Sequence, residues 1–288
     1  MNRKILSYSV GAAAVLFGLA ACSSDNTTSS SGTPTSAEVT AGARQGAGEG
    51  AAMTIAELNS NESSFGAASD IGAASAAVVS PTTVNCSGPD GSGWYNCVAV
   101  LDSGVNLTVK RSIRFWTGTN YDLWWNNPSP TDSVNLKWTA DGTISSSARA
   151  GRNVAVDDSS AATMVILRVP AGVAATPVGG AEHIWTGTAA QHHVATYTPQ
   201  SGAERILTQT GYDTVAAVTF QMPRSQNPYP LSGSITINET THFLAGSFDQ
   251  TDARRLVVTF NGTNIATLLD GGVTCDLNLD THDVSNCH

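Results

Sequence analysis

From Trp94 onward the apolar positions recur with a period of two. Val105, Leu107, Val109, Ile113 and Phe115 share one side of a segment whose other side carries Asn106, Thr108, Lys110, Ser112 and Arg114; only Arg111 interrupts the apolar set. Such alternation describes an antiparallel strand with one face in a core and the other in water. Asp102-Ser103-Gly104 joins it as a hairpin to residues 98–101. Val134, Leu136 and Trp138 alternate next, before Asp141-Gly142, a dipeptide that favours tight hairpin turns. Further strands are expected over 151–156, 163–169, 182–188, 191–198, 203–210, 214–221 and 231–239. Near the end, 256–260 and 265–269 flank Asn261-Gly262, and Asp270-Gly271-Gly272 leads into 273–279 and a short return to Cys287. Roughly ten to twelve strands in succession, with no helical pattern between them, predict an antiparallel meander. A sheet that long curls, closes or splits. The expected class is all-β with a small N-terminal helical segment, as a curved open sheet or barrel; a β-sandwich is the alternative.

The N-terminal part has a different texture. Residues 51–80 are the helical or extended lead-in: Met53, Ile55 and Leu58 line part of one side, Asn59 and Asn61 end the helix, and 65–79 form a second short helix or an extended stretch. Residues 23–50 are dominated by Ser, Thr, Gly and Ala with no aromatic residue, so they bury too little apolar surface to offset their ordering entropy. Residues 22–50 therefore read as a flexible tether, spanning roughly 30 Å at about 5–6 Å × √n. Before it, Arg3 and Lys4 precede an apolar run from Ile5 to Leu19, too short for a permanent span of a ~30 Å hydrocarbon core and suited to an export signal over 1–21.

Leu19-Ala20-Ala21-Cys22 resembles the bacterial lipobox. The resemblance implies that the Cys22 thiol receives a diacylglyceryl group, that the chain is cut before it, and that acyl chains, palmitate among them, anchor the protein to the membrane. Two or more chains anchor stably where one does so only marginally. Ser23 stands where an aspartate would resemble the inner-membrane retention signal, which implies the outer membrane if the host has one.

Without residues 1–21 the chain keeps 12 basic against 23 acidic residues, a net charge of −11. That excludes nucleic acid as a partner and electrostatic adhesion to anionic lipid as the membrane contact. Besides Cys22 there are Cys86, Cys97, Cys275 and Cys287, an even number in an exported chain, read as two disulfides. Of three pairings, Cys86–Cys97 and Cys275–Cys287 are favoured because each brackets a turn-rich segment; a metal site using His282, His288 and Cys287 is the competing reading.

No catalytic signature is present, so no catalytic residue, metal ligand or cofactor is assigned. His192-His193 looks like a metal pair, yet adjacent strand residues point to opposite faces. Asp276, Asn278 and Asp280 are spaced as in a calcium loop but lack its glycine and glutamate; a polar strand face opposite Leu277 and Leu279 explains them. Trp116, Tyr121, Trp124 and Trp125, followed by Asn126-Asn127-Pro128, are the candidate ligand contacts, able to stack on a sugar or a lipid chain. Trp-Thr-Gly-Thr recurs at 116–119 and 185–188, from duplication of a strand–turn unit or from shared turn chemistry.

Pro230-Leu231-Ser232-Gly233-Ser234-Ile235-Thr236, Val257-Val258-Thr259-Phe260-Asn261-Gly262-Thr263 and Thr274-Cys275-Asp276-Leu277-Asn278-Leu279, with the lipobox and tether, resemble uncharacterised β-rich bacterial lipoproteins. The resemblance is firmest over 180–288 and implies architecture without an activity. Three functions stay open. One is a non-enzymatic lipoprotein binding an apolar or amphipathic ligand, a lipid or a glycan, inside a curved sheet over 81–288; a solid, side-chain-filled interior would count against it. Another is a cell-envelope or glycan-directed hydrolase drawing two carboxylates from Asp122, Asp132, Glu182, Glu204 and Glu239. The last is a structural envelope protein. The balance leans away from an enzyme.

Overall fold

The structure, a computed structural model, describes residues 34–65, 83–102, 105–122, 131–146, 152–166, 182–198, 204–221 and 227–288. The signal, Cys22, residues 66–80, Trp124 and Trp125 lie outside them. Among the described residues there is one helix, α1 (Ser36–Phe65), and thirteen strands: β1 (Thr83–Ser87), β2 (Tyr95–Asp102), β3 (Val105–Trp116), β4 (Tyr121–Asp122), β5 (Ser133–Ser146), β6 (Arg152–Ile166), β7 (Glu182–Tyr197), β8 (Arg205–Gln221), β9 (Ser232–Ala245), β10 (Phe248–Thr259), β11 (Ile265–Asp270), β12 (Val273–Asn278) and β13 (Val284–Ser285). They form a single sheet in chain order, all pairs antiparallel, with β4 beside β3 off the main path. The meander does not close on itself, so the curved open sheet is found and the sandwich is not.

The helix occupies the inside of the curl. Gly46 and Gly50 face Gln209 on β8 and Gln191 on β7, whereas Gly48, on the other side of the helix, faces Val284 on β13 and Leu277 on β12. Every residue from Gly46 to Ala52 is buried. A helix buried all round is small or apolar on nearly every side, and Gly-Ala-Gly-Glu-Gly-Ala-Ala meets that with small residues except at Glu49, which accepts a hydrogen bond from Gln45. Ala47, Ala51, Ile55 and Leu58 join the main core with Phe115, Leu136, Trp185, Phe220, Ile235, Ile237, Leu256 and Leu268; Val39 packs separately with Ala195, Leu207 and Phe243.

The tether expected over 22–50 is therefore corrected for 36–50, which are helical. The low aliphatic content that reads as unstructured is the composition of a helix enclosed by a tight sheet. Thr35 caps it: its Oγ1 accepts from the Glu38 N–H at 3.1 Å and its carbonyl accepts from the Val39 N–H at 3.1 Å. At the other end α1 continues through Asn59 and Asn61 to Phe65. Three arginine pairs tie the helix down along its length. Arg205 Nε donates to Glu38 at 2.9 Å, Arg44 Nε to Asp270 at 2.8 Å, and Arg111 to both Glu57 oxygens at 2.5 and 2.6 Å. Arg111, the break in the alternation of β3, is thus an inward strand residue that reaches α1.

The strands are longer than expected. Within the described residues, the segments expected at 151–156 and 163–169 fall on one strand, β6 (Arg152–Ile166), with 151 and 167–169 outside them; those at 182–188 and 191–198 fall on β7 (Glu182–Tyr197), and those at 203–210 and 214–221 on β8 (Arg205–Gln221). Asp141-Gly142 makes no hairpin: β5 runs through it, with Asp141 opposite Thr108 and Asp157. A two-residue type I′ turn needs positive φ at both residues, and only Gly142 has it. Asn261-Gly262 does turn the chain, in a loop wider than two residues, with Gly262 at φ 83°. Asp270 pairs Val273 across Gly271-Gly272, both at positive φ, as a two-residue hairpin. The repeated Trp-Thr-Gly-Thr occupies unlike places: Trp116 ends β3, while Trp185 is fully buried within β7 beside a bulge.

Cys275 is bonded to Cys287 with S–S 2.04 Å, so Cys287 is not a thiolate for metal. Cys97 is disulfide-bonded and stands opposite Cys86 in the β1–β2 register.

The helix glycines generate a paired prediction. A Cβ on Gly42 meets Leu207 at 3.6 Å, an ordinary contact, so Gly42→Ala is expected to stabilise by up to ~1 kcal/mol through helix propensity. A Cβ on Gly46 or Gly50 lands on the Gln209 or Gln191 amide, which must swing away from its buried partners. Gly46→Ala and Gly50→Ala should each destabilise by about 1–3 kcal/mol despite better propensity. Chemical denaturation checks the opposite signs; stabilisation by all three would refute the packing argument.

Candidate functional site

Polar side chains collect on the inner face of β6–β10, under the helix. The register explains how. Gln191, Gly211, Glu239 and Arg254 stand opposite one another across β7, β8, β9 and β10; His193, Gln209, Thr241 and Asp252 form the adjacent row. Asp158 comes from β6 and Asp213 from β8. Gln191 Nε2 donates to Asp213 Oδ1 at 3.1 Å, and His193 Nε2 meets Asp158 Oδ2 at 2.9 Å while the His192 N–H donates to Asp158 Oδ1 at 3.2 Å. Gln209 Nε2 bridges Glu239 Oε2 and the Ala43 carbonyl of α1, both at 3.2 Å, and Thr241 Oγ1 donates to Glu239 Oε1 at 3.3 Å. Gly211 has no side chain where a Cβ would crowd Gln191 and Glu239 at 3.1 and 3.2 Å. Beyond Glu239, Arg254 links Asp252, Asp270 and Thr40.

Four acids, Glu49, Asp158, Asp213 and Glu239, thus share a buried band with one histidine, and Arg254 lies alongside. Asp213 is 1% exposed and Glu239 4%. Burial, then the negative charges of Glu239 and Asp158, push the Asp213 carboxyl up to about 8, against the pull of His193. Burial pushes Glu239 up to about 7, opposed by its hydrogen bonds from Thr241 and Gln209 and by the charges of His193 and Arg254. Burial alone would lower His193, but the hydrogen bond and charge of Asp158, with Glu49 and Asp213, outweigh it and raise it. The band holds protons as a coupled unit at neutral pH. Among the described residues no group of three or more His, Cys, Asp or Glu is arranged to hold a metal ion.

A second constellation lies on the outer face, at one end of β2, β3 and β5. The Arg114 guanidinium sits 4.4 Å from the Trp94 ring centroid and 4.2 Å from that of Tyr121, and Lys137 Nζ stands 4.7 Å from the same Trp94 ring. Trp116 meets Tyr121 edge to face at 4.9 Å. Beside them a shallow cleft of about 570 Å³ is lined by Pro89, Asp90, Ser92, Arg114, Asn120 and Tyr121 among others. Asp90 organises its rim, accepting from the Trp94 and Ser92 N–H groups, which, with Asn96 and the Arg114 charge, hold its carboxyl below the usual range.

Of the candidate ligand contacts, the structure brings Trp116 and Tyr121 together; Trp124 and Trp125 lie outside the described residues. His192 and His193 point to opposite faces, one exposed and one in the band. Asp276, Asn278 and Asp280 hold turns: Asp276 accepts from Asn286, Asn278 from the Asp280 and Thr281 N–H groups, and Asp280 from Tyr229 and Asn264. Within the carboxylate pool, Glu239 joins the buried band, Asp132, Glu182 and Glu204 are exposed, and the Asp122 side chain lies outside the described residues. Asp158, Asp213, Gln191, Gln209 and Glu49 were not singled out from sequence. Their signal was the interruption of apolar alternation at 157–160, 189–191 and 211–213, which resembles turns. Comparison with family models, curated proteins and solved structures finds no match.

The raised carboxyls fix a pH dependence. The ordinary values of Asp213 and Glu239 are 3.8 and 4.5, so between those and about 8 the folded state binds more protons than the unfolded one. Their contribution is present at low pH and is lost as pH rises through about 7 and 8; His193, also raised, acts in the same direction above its ordinary 6.5. Unfolding free energy is expected to fall between about pH 5 and about pH 8.5, by at most ~1.4 kcal/mol per pH unit per group. Asp213→Asn and Glu239→Gln should each flatten that slope. Denaturant titrations at several pH values check it, and stability that climbs over this range would contradict the assignment.

Proposed function

We propose that the chain is a lipid-anchored envelope protein whose β domain is a non-enzymatic binding module, contacting its ligand through the outer aromatic cleft. The charged start, the apolar run and Leu19-Ala20-Ala21-Cys22 support the anchor. The observation that carries the choice of surface is the position of α1. A carrier that encloses an apolar ligand keeps an empty concavity, whereas the inside of this sheet meets the helix from Val39 to Leu58. Among the described residues the interior is filled by the helix and core side chains, which counts against a ligand inside the curve and favours binding on the outer face.

The hydrolase reading gains little from the buried band. Its raised carboxyls would suit proton transfer, but Asp213 and Glu239 lie buried under α1, Asp213 bonded to Gln191 and Glu239 to Gln209, which also holds the helix. A structural envelope role is the remaining alternative, and it gives no task to the ring-flanked cations Arg114 and Lys137 beside the cleft.

The anchor is tested by Cys22→Ser in the full chain in a bacterial host. The parent should take up labelled palmitate and sediment with membranes; the variant should lose the label and appear in the soluble exported fraction. Equal labelling and equal sedimentation would remove the lipid from the proposal.

A further inference from the structure

We infer that the outer cleft beside Trp94, Arg114, Tyr121 and Lys137 is a site for a carboxylated saccharide, of the kind found in polymers of uronic acids. The inference rests on the binding-module reading and names its ligand class.

The argument begins with charge. Beyond Lys4, the sequence has only two lysines, Lys110 and Lys137. Both stand on the outer face of β3 and β5 together with Arg114, since Lys110 and Arg114 alternate with the buried Val109, Ile113 and Phe115, and Lys137 pairs with Ser112 in register. In a chain with 23 acidic residues, three cations converge on one surface. Arg44, Arg111, Arg205 and Arg254 are each neutralised by a carboxylate inside the fold. Arg114 is treated differently: Nε donates to Asn135 Oδ1 at 3.0 Å and two aromatic rings flank the guanidinium, while the Asp90 carboxylate acts on it through its charge across the cleft and not as a direct salt bridge. Its terminal N–H groups form a planar fork held in place, the geometry that pairs bidentately with a carboxylate.

The walls choose the rest of the ligand. Tyr121 is 40% exposed, which leaves ring surface open to a ligand, and Pro89 continues the apolar lining. The C–H face of a sugar ring packs on such surfaces. Asn120, Ser92 and Asp90 add hydrogen-bonding groups along the same cleft, suited to hydroxyls. The charged Asp90 carboxylate within the lining opposes a ligand with a high density of negative charge, such as a phosphate polymer, more strongly than one with a single carboxylate per ring. A cleft of about 570 Å³ lies within the usual ~300–1,000 Å³ of small-ligand sites.

Calorimetric titration of the full-length processed protein in detergent with trigalacturonate and trimannuronate tests the assignment, using methyl-esterified trigalacturonate and a neutral maltotriose as controls. Saturable binding is expected for at least one acidic trisaccharide, weakened at least about tenfold by esterification or by Arg114→Gln, a few-fold by Lys137→Gln, and by raised salt. Tyr121→Ala should weaken both acidic and esterified forms. The exposed Lys137→Gln keeps the test intact if Arg114→Gln fails to fold, which circular dichroism reports. Equal binding of acid and ester, unchanged affinity in a folded Arg114→Gln and in Lys137→Gln, or no binding of either acidic trisaccharide at millimolar concentration each overturns the inference. So does Arg114-dependent adhesion to phosphatidylglycerol vesicles without trisaccharide binding. Maltotriose binding lost with Tyr121→Ala would overturn the acidic class alone and leave the binding module standing.

Discussion

The approach of α1 to β7 and β8 at Gly46 and Gly50 is the contact on which the rest of the architecture depends. At those positions the strand side chains occupy the space a Cβ would take, and on the opposite side Gly48 does the same for Val284 and Leu277. Glycine in a helix interior costs roughly 1 kcal/mol each relative to alanine. That cost is offset only if the close approach gains more, and it does so by letting one slender helix serve as the core for strands on both of its sides. A helix with leucine at these positions would hold the sheet farther off. The curl would open, and Trp185, Phe220 and Ile237 would lose their enclosure.

Close approach also brings polar backbone and side chains into the interior, and the band under the helix follows from that. Gln209 reaches the Ala43 carbonyl because Gly46 leaves room, and the same amide holds Glu239. Gln191, accommodated by Gly50 and Gly211, holds Asp213. Buried acids in such number cannot all be ionised, so two are displaced to about 8 and about 7, and the hydrogen bonds that remain fix the helix against one set of strands. Together with the arginine pairs at Glu38, Asp270 and Glu57, these contacts specify the rotation and depth of a helix whose smooth Gly/Ala surface would by itself slide. Register is the best-attested use of buried ionic groups.

The same band explains what was legible in the sequence and what was not. Strand periodicity is readable wherever the inward residues are apolar, as in β3 apart from Arg111, the end of β10 from Leu256, β11 and β12, and the single-sheet meander follows from it. It fails where Asp158, Gln191 and Asp213 turn inward, because a polar inward residue has the same signature as a loop, and so the pattern divides each of β6, β7 and β8 into two segments. The helix was hidden for a related reason. Segment 36–50 has the composition of a tether, and only the Thr35-Ser36-Ala37-Glu38 cap and the four-residue spacing of Gly42, Gly46 and Gly50 betray it. Arg111 was visible as an anomaly, although its partner on α1 could not be named before Glu57 was known to be helical.

Inside and outside thus use charge in opposite ways. Within the curl the acids and bases named here are matched with partners, so their free energy is spent on position. On the outer face of β3 and β5, Arg114 and Lys137 are held by aromatic rings, which stabilise a cation without satisfying its donors. A guanidinium fixed in this way has lost much of its conformational freedom before any ligand arrives, so an anion that meets it has less ordering left to offset. The plugged interior and the prepared surface are consequences of one arrangement: a sheet that commits its concave side to its own helix is left with its outer face and loops for recognition.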